Sequence, residues 1–233
     1  MYAERVARPA QQMRRFLQYL GLGVVPQRMR TKGKSFDRSR IRALVLRGDP
    51  RVLIARETRT VTDLFLGVLL DCSGSMTADD NIEKAKLFAT LLAEAARGLR
   101  GVTLRLWGFT DQTIYDCGDA ARPAVHDLEP EDANNDSAAM WHASQVARAS
   151  NRRAKVLVMI SDGSPAGCSV ASLKALVQRL TTRQKMLCAQ VAVRPLDDIC
   201  FPHYVLLEND NLDECVRRFG AVMMRLVRQA LKG

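Results

Sequence analysis

The sequence predicts an α/β protein built on a doubly wound, mostly parallel sheet. Three observations carry that expectation. The runs 64–70, 154–161 and 186–193 are apolar almost without interruption, as strands covered on both faces must be. Between them lie stretches with apolar residues at helical spacing, which places helices over those faces. Polar loops follow two of the runs, Asp71-Cys72-Ser73-Gly74-Ser75 and Ser161-Asp162-Gly163. Ligands in open α/β sheets bind there, beyond the carboxyl ends of the strands.

Residues 4–20 read as a short basic helix with Met13, Phe16, Leu17 and Leu20 on one face and Gly21 after it. Pro9 suits its first turn, where a missing amide costs nothing. Residues 26–40 are polar, basic and glycine-containing, an extended linker or an added strand. The next stretch suggests a short helix from Ile41, a turn at Gly48-Asp49-Pro50 and a strand through Val52–Ala55. From Leu64 the alternation begins. Strand 64–70 leads into helix 80–98, with Ile82, Ala85, Phe88, Ala89, Leu92 and Ala95 at helical spacing. Residues 102–109 and 112–117 form a strand pair. Helix 136–149, strand 154–161, helix 169–183, strand 186–193, a short strand 203–207 and a closing helix 211–231 complete the order. No internal repeat or low-complexity segment interrupts it.

With 233 residues, 47% hydrophobic and 26% charged, the chain suits one sizeable domain plus an appendage. No apolar run reaches the ~18–20 residues that span a bilayer, and the first residues lack a signal-peptide core. The expectation is a cytoplasmic protein with no membrane contact. The six cysteines show neither CxxC pairs nor a Cys/His cluster, so reduced thiols are expected, with Cys188 packed in the core. The net charge of +10 is unevenly placed. Residues 1–60 hold 15 Lys and Arg against 4 Asp and Glu, whereas the remainder holds 20 against 21. The chain therefore divides into a basic amino-terminal extension, 1–60, and a domain, 61–233. Such a segment can meet nucleic acid or an acidic protein surface.

The chemistry lies in three loops. Asp71, Ser73 and Ser75 alternate just past a buried strand, so one carboxylate and two hydroxyls can turn toward a single point. Mg²⁺ takes hard oxygen ligands in near-octahedral geometry and keeps positions for water. Asp162 ends a second strand, before a glycine that permits a sharp turn. A third loop opens a helix with Asn135, Asp136 and Ser137, residues that equally serve as a helix cap. His142, one and a half turns after Asp136, is a candidate for the rim. His126 and His203 are isolated. Trp107 and Trp141 read as core or interface aromatics. No GxxxxGK[ST] phosphate loop is present, so ATP binding of that kind is not expected.

The order strand–DxSxS–helix, helix-opening polar loop, strand–SDG resembles the von Willebrand factor A (VWA) family, a Rossmann-like fold, over roughly residues 62–231. In that family the three loops build a metal-ion-dependent adhesion site (MIDAS). The resemblance implies Asp71, Ser73, Ser75 and Asp162 as ligands of Mg²⁺ or Mn²⁺. The middle loop commonly supplies threonine, where Asp136 stands here. Asp136, Ala139 and Ala143 look like the Asp-x-x-Ala-x-x-x-Ala helix start of the T subunit of aerobic cobaltochelatases. Ile160-Ser161-Asp162-Gly163-Ser164-Pro165 is similar to that subfamily's third loop. Asp71, Asp162 and a divalent cation sum to zero. Asp136 takes the site to −1, which should tighten cation binding and weaken the pull on an incoming carboxylate.

The resemblance implies a non-catalytic module that docks on a MoxR-like AAA+ ATPase. A third, substrate-bearing subunit would complete a cobaltochelatase-type complex of cobalamin biosynthesis or a protein-maturation complex. The competing expectation is a nucleic-acid-binding VWA protein that uses the basic segment. No RNA- or DNA-binding motif accompanies that segment.

Overall fold

A computed structural model describes residues 2–19, 23–59, 62–131, 133–163, 165–207 and 212–230. In chain order the elements are α1 (Tyr2–Tyr19), β1 (Gly23–Arg30), β2 (Ser35–Phe36), α2 (Ile41–Arg47), β3 (Leu53–Arg59), β4 (Leu64–Asp71), α3 (Asn81–Ala96) and β5 (Val102–Phe109). Then follow β6 (Ile114–Asp116), α4 (Asp136–Ala149), β7 (Ala154–Ser161), α5 (Val170–Thr182), β8 (Leu187–Ala192), β9 (Tyr204–Leu206) and α6 (Leu212–Ala230).

The six-stranded sheet has the order β6-β5-β4-β7-β8-β9. Its strands run parallel except β6, which pairs antiparallel with β5 at the edge. The chain leaves β4 toward β5 and later returns to β7 on the other side. The strand order therefore reverses between β4 and β7, which makes their carboxyl ends the switch point of a doubly wound sheet. Every residue of β4 is buried. Leu64, Leu66, Val68 and Leu70 enter one apolar layer with α3 and α6, while Phe65 and Leu69 enter the other with α4 and α5. That two-sided burial explains why the strand is apolar throughout rather than alternating. All six cysteines are free thiols, and Cys188 is fully buried, its thiol pushed up to about 12 by desolvation.

Residues 26–40, expected as a linker or added strand, supply parts of β1 and β2, which flank β3 in a three-stranded antiparallel sheet of order β1-β3-β2. Helix α2 buries none of its residues. Gly48, left-handed at φ 64°, ends it by donating its amide to the carbonyls of Ala43 and Leu44. Asp49 holds the following turn by accepting from Arg40 at 2.7 Å and Arg51 at 2.9 Å.

Helix α1 differs from expectation at Pro9, which lies inside the helix rather than in its first turn. The stripe Val6, Ala10, Met13 and Leu17 is buried and spans Pro9, in one core with residues of α3 and α6. Its burial offsets the amide hydrogen bond that proline cannot make. Leu20 and Gly21, expected at the end of this helix, lie outside the described residues. Gly220 of α6 permits the close approach, since a Cβ there would come within 2.5 Å of the Phe16 ring. The basic residues Arg5, Arg8 and Arg15 stay exposed. Leu17→Ala is expected to lower stability by about 2–5 kcal/mol in chemical denaturation. A loss well below that would mean α1 contributes little to the core.

Candidate metal centre

Asp71 and Ser161 end the neighbouring strands β4 and β7, and Asp162 follows directly. Asp71 is 0% exposed, Asp162 1% and Asp136 2%, far too buried for solvated turn residues. Ser73 is buried as well, and Ser75 is exposed. The Ser73 amide donates to Asp71 Oδ1 at 2.8 Å, which folds the first loop back over its own carboxylate. The Ser73 and Ser75 hydroxyls lie 3.0 Å apart. The loop is tied to its surroundings where the Cys72 amide donates to the Phe109 carbonyl and the Cys72 carbonyl accepts from Glu131.

Asp136 is the first residue of α4, and the preceding Asn135 is the cap, its side chain accepting from the Ala138 amide at 3.0 Å. The capping role in this loop therefore falls to Asn135 and leaves the Asp136 carboxylate for other work. Gly163 turns the third loop at φ 85°, where a Cβ would collide with Leu196 at 2.2 Å. Ser164, part of the third-loop resemblance, lies outside the described residues.

Burial pushes the Asp71 carboxyl up to about 6, against hydrogen bonds from Ser73 and Asn134, with the charge of Asp162 adding to the rise. Asp136 is pushed up to about 7 by burial and then by the charges of Asp71 and Asp162. The three carboxylates thus share one electrostatic environment. Among the described residues, no three Asp, Glu, His or Cys side chains close into a metal cage by themselves. A cation here would draw on the hydroxyls of Ser73 and Ser75 and on water as well, which is how Mg²⁺ is usually held. Its fit rests on Asp136 Oδ2, a buried carboxylate oxygen that accepts no hydrogen bond. Such an oxygen is costly unless a donor or cation reaches it.

Two residues at the site were not singled out from the sequence. Asn134, 0% exposed, donates from Nδ2 to Asp71 Oδ2 at 2.8 Å and accepts at Oδ1 from the Ala166 amide at 2.7 Å. Its carbonyl accepts from Gly167 at 2.7 Å. One side chain therefore joins all three loops. Arg194, just past β8, lies 3.5 Å from Asp162 Oδ2 and donates from Nε to the Asp162 carbonyl at 3.3 Å. It adds positive charge at the rim. His142 packs edge-on against the buried Trp107 with ring centroids 5.8 Å apart. His126 pairs with Asp127 at 3.3 Å on the surface.

The central β4, the reversal beside it, the helices on both faces and the three loops at the carboxyl edge define a VWA-type fold. Solved structures bear out that class. The chain is similar to a von Willebrand factor type A protein from Catenulispora acidiphila, with TM-score 0.57 and 14% identity over 73% of this chain and 44% of that one. It is similar to the SpRpn10 VWA domain, with TM-score 0.52 and 15% identity over 67% of this chain and 94% of that domain. The conserved hypothetical protein BatB from Bacteroides thetaiotaomicron gives TM-score 0.52 and 15% identity over 73% of this chain and 100% of its own. This chain therefore matches less than half the length of the Catenulispora protein. No protein-family model matches the sequence, and no curated protein does so. No helix among the described residues is long and apolar enough to cross a membrane.

Proposed function

We propose that this chain is a non-catalytic, Mg²⁺-binding VWA module that docks on a MoxR-like AAA+ ATPase in a metal-insertion or protein-maturation complex. The observation that carries the metal half is Asp136 Oδ2, buried and without a hydrogen-bond donor beside two further buried aspartates. Asp71, Asp136 and Asp162 would hold the cation with Ser73 and Ser75. Bound there, Mg²⁺ supplies a positive point of attachment for an oxygen of the partner. The third carboxylate makes the loaded ligand set net negative, with Arg194 offsetting that charge only from the rim, so the partner is held less by an acidic ligand than by the surface of the three loops. The resemblance of the Asp136–Ala139–Ala143 helix start to the cobaltochelatase T subunit supports the ATPase as partner.

The test has two stages. Millimolar Mg²⁺ or Mn²⁺ should stabilise the protein, by about 2.7 kcal/mol at ~100 Kd, seen as a rise of roughly 5–10 °C in thermal unfolding. Asp71→Ala should remove the rise. A purified MoxR-type ring should then bind the wild type in Mg²⁺ at least tenfold more tightly than in EDTA. A thermal rise with no Mg²⁺-dependent ring binding would keep the metal site and reject this partner. No rise in the free protein and ring binding indifferent to EDTA would reject the metal-dependent reading altogether.

A further inference from the structure

A shallow, open depression of about 410 Å³ lies at the opposite end of the sheet from Asp71 and Asp162, lined by Arg148, Lys155, Arg179, Arg183, Gln184 and Met186. We propose that it is an anion site that takes a compact polyphosphate group. Four cations and no carboxylate line it. None of the four has a carboxylate partner among the described residues, whereas Lys86, Arg97, Arg105 and Arg152 each pair with one.

The contacts these side chains do make orient them without neutralising them. Arg148 donates to Gln145 Oε1 at 3.4 Å, and Lys155 Nζ donates to the Arg152 carbonyl at 2.8 Å. The Arg179 guanidinium lies over the Trp141 ring, 5.8 Å from its centroid. Trp141 itself is 42% exposed, so this aromatic lies on the surface beside the cationic cluster rather than in the core.

Helix polarity explains part of the cluster. Arg148 and Arg179 occupy the last turns of α4 and α5, where cations are favoured. It does not explain Lys155, which comes from β7, nor the convergence of four like charges on one depression, whose repulsion solvent and salt only partly screen and a bound anion would relieve. Nor is the cluster an overflow of a basic chain, because residues 61–233 carry one more acidic than basic residue. Planar guanidinium forks match phosphate oxygens in pairs. The volume suits a small ligand rather than a folded partner. No phosphate loop is needed, since side chains supply the positive charge. Lys155 is seven residues from Asp162 along β7, about 23 Å at strand rise. The anion site and the metal centre are therefore separate.

Isothermal titration of the full chain in metal-free buffer at fixed ionic strength tests this, with sodium tripolyphosphate and inositol hexakisphosphate as probes. One-site saturable binding is expected with at least one of them. It should weaken at least tenfold in the double variant Arg148→Gln/Arg183→Gln and persist in Asp71→Asn. Preference for the linear or the ring-borne phosphate distinguishes a free polyphosphate from a phosphorylated metabolite as the source. The substituted positions are exposed, and circular dichroism checks that the variant is folded. Absence of saturable binding with both probes would overturn the proposal. So would binding undiminished by the double substitution, which would place the phosphate on another basic surface.

Discussion

Asp136→Asn is expected to make the metal-free protein more stable at pH 7.5 while weakening its response to Mg²⁺. The two effects have one origin. Asp136 Oδ2 accepts no hydrogen bond, so its replacement by an amide nitrogen removes no donor–acceptor pair. Burial and the charges of Asp71 and Asp162 push the Asp136 carboxyl up to about 7, and Asp71 is raised to about 6. Both values lie above those of an unfolded aspartate. The folded protein therefore binds more protons than the unfolded chain from about pH 4 to pH 7. The associated stability is fully present at acid pH and is lost as pH rises through the folded values. Metal-free wild type should be more stable at pH 5 than at pH 8, and Mg²⁺ should stabilise it more at the higher pH. Removing the Asp136 charge should recover about 1–4 kcal/mol at pH 7.5 and flatten the pH dependence. Thermal unfolding across pH 5–8, with and without Mg²⁺, measures both effects. A variant less stable without metal but with an intact Mg²⁺ rise would make Asp136 a structural residue of the helix start.

Asn134→Ala is expected to destabilise the protein by about 2–4 kcal/mol, because it removes one hydrogen bond to a buried carboxylate and another to a backbone amide. The Asp71 carboxylate would lose one of its donors and be left with those of Ser73. The Ala166 amide would lose its acceptor. Asn134→Asp separates packing from charge. It keeps the shape and can still accept from Ala166, but sets a fourth carboxylate against Asp71 in place of a donor. That variant should be poorly stable at neutral pH without metal and substantially recovered by Mg²⁺ or by pH 5. Equal loss in both variants under all conditions would mean that Asn134 acts only through shape.

Much of the body was legible because its signals are local. Strand 64–70 is buried on both faces, and the helix beginning at Asp136 and the strand 154–161 fall at the expected residues. Asp71 and Asp162 stood out because each ends such a strand. Asn134 was not legible, because in Asn134-Asn135-Asp136-Ser137 every residue is a plausible cap. Which one caps, which one bridges and which one is left over depends on strands more than sixty residues earlier. Arg194 reaches Asp162 only through the pairing of β7 with β8. In α1 Met13 and Leu17 were legible on the apolar face, but the charges around Val6 and Ala10 masked the first half of the stripe Val6–Ala10–Met13–Leu17. Burial of that stripe also places Pro9 in the helix interior. The partners of β1 and β2 are likewise long-range, set by β3 more than twenty residues after β1 begins.

The seat of α1 bears on how the chain can be cut. Charge suggests scissors after residue 60, but the cut would carry away the lid of a greasy trough. Phe88 of α3 and Phe219 of α6 meet edge-on at 5.6 Å within the core that α1 completes. A fragment beginning at Val61 would present that trough to water and to its own copies. Its clumping would be a property of the cut edge, and would say nothing about whether the uncut protein associates.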